Sequence, residues 1–324
     1  MVNIGLVGCG MWGRNLARNL AQLKVLGAVA DRDPANAADF ATQFDVEQTD
    51  FAAMLANPNI DGVVLATSAP SHNALAIEAL AAGKHLYVEK PLALTLADAE
   101  QIAAAAKAAD RQVMVGHLIR YHAAFQELLA QLAAGAIGQI RHVQANRLAM
   151  GRIRNTESVL FDLCPHDLSL ILAIMDGQPT SVSCAGASHV TPGVVDVLST
   201  VLGFADGRSA TMQTSWMSPY KEHRLTVVGS AGSLVFDDTQ SWPEKLTLFQ
   251  DKIRPDGEAF MIERASPISL PIAEAEPLKD EMRAFVACCE TGEPAPTNIN
   301  EALNVQAVLE SMQDQLIDTN NHPR

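Results

Sequence analysis

A chain of 324 residues, 48% hydrophobic and 19% charged, is long enough for two separate cores and has the make-up of a globular protein. A formal net charge of −14 excludes a nucleic-acid partner, because a phosphate backbone attracts basic surfaces, and it equally disfavours an anionic membrane. The five cysteines (Cys9, Cys164, Cys184, Cys288 and Cys289) form no CxxC pair and lack metal-ligand spacing, so free thiols and no metal are expected.

Met1 leads directly into an apolar run, Val2–Val7, without a basic leader or cleavage site. No apolar stretch approaches the ~20 residues that a membrane span needs, and a cytoplasmic protein is expected. Up to about residue 118, short β-rich runs alternate with alanine-rich helical stretches. The strands expected are Val2–Val7, Leu26–Ala30, Gly62–Ala66, His85–Val88 and Val113–Val115. Helices are expected at Trp12–Leu23, Asn73–Ala82 and Leu96–Ala109, the last capped by Thr95. This alternation is the mark of βαβ units and a parallel sheet.

After His117 the texture changes. A helix at His122–Ala134 and a strand at Ile140–Asn146 precede a helix near Pro165–Met175. Strands then follow at Ser181–Gly186, Val197–Phe204, Ala210–Ser215, Arg224–Val228, Ser233–Phe236 and Lys245–Phe249. The proline-rich stretch Pro255–Pro277 reads as a loop with an edge strand, and helices at Asp280–Thr291 and Asn300–Leu316 close the chain, with fraying after Asp318. The expectation is an α/β Rossmann domain, residues 1–118, followed by an α+β domain with a largely antiparallel open sheet, residues 119–324, for substrate binding and oligomerisation.

The turn Gly8-Cys-Gly10-Met11-Trp12-Gly13 leaves the first strand and opens the first helix, as a dinucleotide fingerprint requires. Gly8 permits the tight turn, Gly10 lets the backbone approach a pyrophosphate, and Gly13 allows close helix–strand packing. Asp31 stands 18 residues beyond Gly13, where a carboxylate accepts hydrogen bonds from ribose hydroxyls and repels a 2′-phosphate. NAD is therefore the expected cofactor, although the adjacent Arg32 is a feature that NADP sites use. Thr67 and His72, after the strand at Gly62–Ala66, border the same side.

Glu89-Lys90-Pro91 ends the strand His85–Val88. In an open parallel sheet the carboxyl ends of strands line the ligand crevice, which aims Lys90 at cofactor and substrate. Asp162 and His166 stand four apart around Pro165, and a histidine can take up a hydroxyl proton near neutral pH. Arg147, Arg152 and Arg154 cluster around Gly151, a set suited to a diphosphate or carboxylate. His117, Arg120 and Tyr121 fall at the expected domain junction, where substrate clefts form.

Together these residues resemble the glucose–fructose oxidoreductase / inositol dehydrogenase / MocA family over nearly the whole chain. The resemblance implies that Lys90, Asp162 and His166 are the catalytic lysine, aspartate and histidine. It also implies an oligomer, a dimer or tetramer, assembled through the second domain. The runs Asn146–Arg154, Leu160–Asp167 and Ser215–Glu222 further resemble a branch acting on sugar nucleotides, UDP-N-acetylglucosamine 3-dehydrogenases among them. That resemblance implies a UDP-sugar as substrate, oxidised at C3 to a 3-keto sugar that feeds a transamination in lipid A or surface-polysaccharide synthesis. A UDP-N-acetylglucosaminuronate or a free polyol such as inositol stands as the alternative. Either Lys90 or His166 serves as the base; His166 is favoured, because a lysine needs a large downward pKa shift.

Overall fold

The computed structural model describes residues 2–320. The chain divides into two compact units, Met1–Tyr121 with Glu276–Ala307, and His122–Ala275 with Val308–Arg324. The first crossing lies close to the expected boundary at residue 118, but a single cut misses the return of residues 276–307 to the first unit. That return is driven by apolar burial. Met282, Phe285 and Cys288, on the helix Pro277–Thr291, join Leu16, Leu20 and Tyr87 in one buried cluster. Ala302, on the helix Ile299–Asn320, joins Leu80, Leu86 and Ile102 in another.

The first unit runs β1 (Ile4–Val7), α1 (Met11–Gln22), β2 (Leu26–Ala30), α2 (Pro34–Phe44), β3 (Glu47–Gln48), α3 (Phe51–Ala56) and β4 (Gly62–Leu65). It continues with α4 (His72–Ala81), β5 (His85–Val88), α5 (Leu96–Ala109) and β6 (Val113–Val115). The six strands form one parallel sheet in the order β3-β2-β1-β4-β5-β6. β1, β4 and β6 are buried at every residue, as strands covered on both faces should be. The strand order reverses between β1 and β4, the place where open α/β sheets bind ligands at their carboxyl ends. Thr95 caps α5 through Asp98 N–H at 3.1 Å, as expected. The helices α2 and α3 are additions to the expected set, each started by an aspartate cap, Asp33 and Asp50.

The second unit contains α6 (Ala123–Ala133), β7 (Ile140–Met150), α7 (Val159–Asp162), α8 (Cys164–Met175), β8 (Ser181–Ala187), β9 (Val197–Gly203) and β10 (Ser209–Ser215). Then come β11 (Met217–Gly229), β12 (Ser233–Asp237), β13 (Leu246–Phe249), β14 (Lys252–Asp256), β15 (Ala259–Glu263) and β16 (Ile268–Leu270). Eight of these strands form a mixed sheet in the order β16-β13-β12-β11-β7-β10-β9-β8, antiparallel except where β10 runs parallel to β7. Val143, Ala145 and Arg147 turn to the covered face, where α8 buries ten of its twelve residues. Gln144 lies on the open face. The segment expected as a loop with one edge strand holds the hairpin β14–β15 as well as β16, with Gly257 at positive φ in the hairpin turn. The last helix runs Ile299–Asn320, and the rest of the segment expected to fray after Asp318 lies outside the described residues. Among the described residues no helix is long and apolar enough to cross a membrane.

Candidate active site

The glycine turn departs from β1 with Gly8 at φ +102°, a conformation that strains any side chain, and a Cβ there would lie 2.6 Å from the Ala66 carbonyl oxygen. At Gly10 no described atom lies within 4 Å of a Cβ position, so the turn is open on that side. α1 begins directly after Gly10 with no side-chain cap and no acidic residue in its first turn. An uncapped helix start behind an open glycine is what a pyrophosphate requires. Asp31, at the end of β2, accepts from Cys9 N–H at 2.6 Å and from Asp33 N–H at 2.8 Å, so the acid also braces the turn. Arg32 is exposed. Burial, then the Asp31 charge, pushes the Cys9 thiol up to about 12, which makes it inert.

At the end of β5 the Glu89 carboxylate is buried, 8% exposed, and gathers three donors. Trp12 Nε1–H reaches Oε1 at 2.5 Å, Tyr87 O–H reaches Oε1 at 3.0 Å, and Lys90 N–H reaches Oε2 at 3.3 Å. Glu89 thus ties the cofactor turn to the backbone of Lys90, while Met11 beside Trp12 is 73% exposed. His72, expected beside the cofactor, is 1% exposed. Its ring nitrogens face the carbonyls of Pro91 at 2.9 Å and Thr67 at 3.1 Å, and burial lowers its pKa. It therefore holds the backbone on the far side of Lys90. The Thr67 hydroxyl accepts from Ser71 O–H at 2.9 Å.

His117, Arg120 and Tyr121, read from the sequence as substrate residues, each pair with a residue of the first unit. His117 Nδ1 lies 2.8 Å from Glu301 Oε2, and Arg120 approaches the same carboxylate at 3.8 Å. Tyr121 O–H pairs with the Thr297 hydroxyl at 2.9 Å. Glu301, Thr297, Tyr87 and Glu281 all serve this unit, yet sequence reasoning did not single them out. Their partners lie up to 194 residues away, and no local pattern reports such a pairing.

In the second unit, Asp162 closes α7 and His166 sits in the first turn of α8, with Pro165 at the helix start. The arginine cluster does not survive as one binding set. Arg147 turns to the covered face and forms a two-pronged pair with Asp167, Nε to Oδ2 at 2.9 Å and NH2 to Oδ1 at 2.6 Å. Strand alternation is the reason: Arg147 shares its parity with Val143 and Ala145. Arg154 is bound to Asp162 at 2.9 Å and to Glu157 at 3.3 Å. Arg152 is exposed in the segment between β7 and α7.

Two family models match. Residues 2–117 fit the oxidoreductase family with NAD-binding Rossmann fold, and residues 125–235 fit the GFO/IDH/MocA C-terminal domain. The inositol 2-dehydrogenase of Acidothermus cellulolyticus is 32% identical over 252 residues, which cover 74% of each chain. The UDP-N-acetylglucosamine 3-dehydrogenase of Acidithiobacillus ferrooxidans is 30% identical over 216 residues, 66% of this chain and 62% of that one. A solved structure of that dehydrogenase overlays with a TM-score of 0.84 at 24% identity and 97% coverage of both chains, a likeness of fold. The glycine turn, the strand-end lysine and these relationships lead to one conclusion: the chain belongs to the GFO/IDH/MocA family and is an NAD-dependent oxidoreductase.

Proposed function

We propose that the chain oxidises the C3 hydroxyl of UDP-N-acetylglucosamine to the 3-keto sugar nucleotide. Arg152 carries this reading. It is exposed and has no ion-pair partner among the described residues, whereas Arg147 and Arg154 are each held by carboxylates. A guanidinium on the segment leading towards His166 suits the oxygens of a diphosphate. The 30% identity to a UDP-N-acetylglucosamine 3-dehydrogenase supports the same choice.

NAD, bound along the glycine turn and Asp31, supplies the hydride acceptor. His166 takes the hydroxyl proton as general base, and Lys90, as an ammonium, stabilises the oxygen while negative charge develops on it. Asp162, paired with Arg154, fixes the approach to His166. A 3-keto sugar offers the carbonyl that an aminotransferase consumes, so the proposed product feeds a transamination in lipid A or surface-polysaccharide assembly. The second reading is a free polyol, favoured by the 32% identity to an inositol 2-dehydrogenase. The test is NADH formation from UDP-N-acetylglucosamine, its uronate and myo-inositol, with mass spectrometry of the trapped product. NADH from myo-inositol alone overturns the sugar-nucleotide reading. Arg152→Ala is expected to raise the KM for UDP-N-acetylglucosamine about tenfold, the size of one lost charged hydrogen bond. The KM for NAD should stay within about twofold.

The proposal includes a homo-oligomer, dimer or tetramer, assembled through the open face of the eight-stranded sheet. Ser183, Ser199, Val201, Gln213, Thr211 and Gln144 make a strip across that face without a formal charge, and Val201 is 52% exposed. An uncharged strip on an open sheet face suits isologous pairing. Val201→Arg is expected to lower the mass measured by size-exclusion chromatography with light scattering; an unchanged mass removes this face from the assembly.

A further inference from the structure

Glu281 lies on the helix Pro277–Thr291, 0% exposed, with Oε2 3.1 Å from the Tyr87 phenol oxygen. Its Oε1 is buried without a hydrogen-bond partner among the described residues. The phenol lies 3.0 Å from Glu89 Oε1 on its other side. A phenol has one proton and two carboxyl groups contact it, so it can donate to only one of them. Burial raises the pKa of both acids, but at Glu89 the N–H donors of Trp12 and Lys90 offset part of that rise, so of the two it is Glu89 that suits a carboxylate. Glu281 has no donor besides the phenol, and an anion so placed would be costly. The proton therefore resides on Glu281, and the hydrogen bonds run from Glu281 to Tyr87 to Glu89.

The surroundings agree. From β5, Glu281 faces Tyr87 and, just beyond the strand, Glu89; from the turn Leu118–Tyr121 it faces Tyr121. On α1, Arg14 is committed to Asp39 and Arg18 is exposed, so α1 brings no countercharge to the cluster. Gly116 makes room for it: a Cβ there would lie 2.6 Å from the phenol oxygen and 3.0 Å from Glu89 Oε2.

We propose that Glu281 is a positioning residue which, as a neutral carboxylic acid, commits the Tyr87 proton to Glu89 and so holds Glu89 as the anion joining Trp12 of the cofactor turn to the backbone of Lys90. The inference rests on the NAD-binding fold alone and is independent of the sugar substrate. Glutamine preserves a neutral donor at this position, whereas leucine removes it. Glu281→Leu is expected to weaken NADH binding about tenfold, read by fluorescence without substrate, and Glu281→Gln to restore it to within about twofold.

The pH dependence separates this role from simple packing. Burial first, and the Glu89 charge second, raise the Glu281 pKa well above its ordinary 4.5. A group with a raised folded pKa contributes stability that is fully present below its unfolded pKa and is lost as pH rises through the folded one. Glu281 should thus contribute a loss of stability from about pH 4.5 upward that is absent from Glu281→Gln, while the burial of Glu89 acts in both chains, so the Tm of Glu281→Gln should rise relative to wild type between about pH 5 and pH 8. A Tm difference that stays flat with pH, or a glutamine variant as weak for NADH as the leucine variant, overturns the proposal. If Glu281→Leu is not recovered folded, the pH-dependent gap between wild type and Glu281→Gln decides alone.

Discussion

Lys90→Ala is expected to lower kcat by about 10²–10⁴, while NADH still binds. The side chain leaves the carboxyl end of β5 from a backbone held on both sides. Glu89 takes the Lys90 N–H, and His72 faces the carbonyl of Pro91. Removing the ammonium leaves this scaffold intact, so the loss should appear in turnover and not in cofactor affinity. Lys90→Arg refines the role. Arginine retains the cation but does not act as a base, so partial recovery of kcat assigns Lys90 to charge stabilisation. His166→Asn should produce a loss of similar size. Wild-type kcat in either Lys90→Ala or His166→Asn removes that residue from the mechanism.

The second large effect is on stability. Arg147 and Asp167 are 9% and 4% exposed and paired through two hydrogen bonds, between β7 and the first turn of α8. Asp167→Ala leaves a buried guanidinium without its partner, which costs about 3–5 kcal/mol. In a protein of this size that corresponds to a fall in Tm of about 10 °C by calorimetry. The double variant Arg147→Met, Asp167→Leu is expected to regain most of the loss, because a hydrophobic pair of similar volume avoids the desolvation of two charges. A single variant that melts with the wild type would show the pair to be dispensable.

The sequence and the structure agree where a periodic pattern is long or its ends are marked. β2, β5, β6 and α5 have the expected limits, because each is an apolar or alanine-rich run bounded by turn or cap residues. α2 and α3 were missed although Asp33-Pro34 and Asp50 mark their starts: α3 is only six residues long, and the α2 stripe of Ala37, Phe40, Ala41 and Phe44 rests on two large side chains. The turn formed by Gly8, Gly10 and Gly13 was legible because a turn acts locally. Arg147 misled for the opposite reason. It lies near Arg152 in sequence, but strand parity sends it inward to Asp167. Glu89 was legible as a position, but its pairing with Trp12 was not, and Glu281 passed as one more acid on an amphipathic helix.

The return of residues 276–307 to the first unit has a consequence for biosynthesis. A ribosome that has emitted the six strands of the parallel sheet has not yet emitted Met282, Phe285 or Ala302, which complete the clusters on its two faces. Leu16, Leu20 and Tyr87 must wait for nearly the whole chain before their cover arrives, and the nascent sheet is for that time a surface for chaperones. The same order explains why excising residues 1–121 as a cofactor-binding module is expected to give an aggregating fragment, whereas supplying residues 276–307 on a short linker should make it soluble.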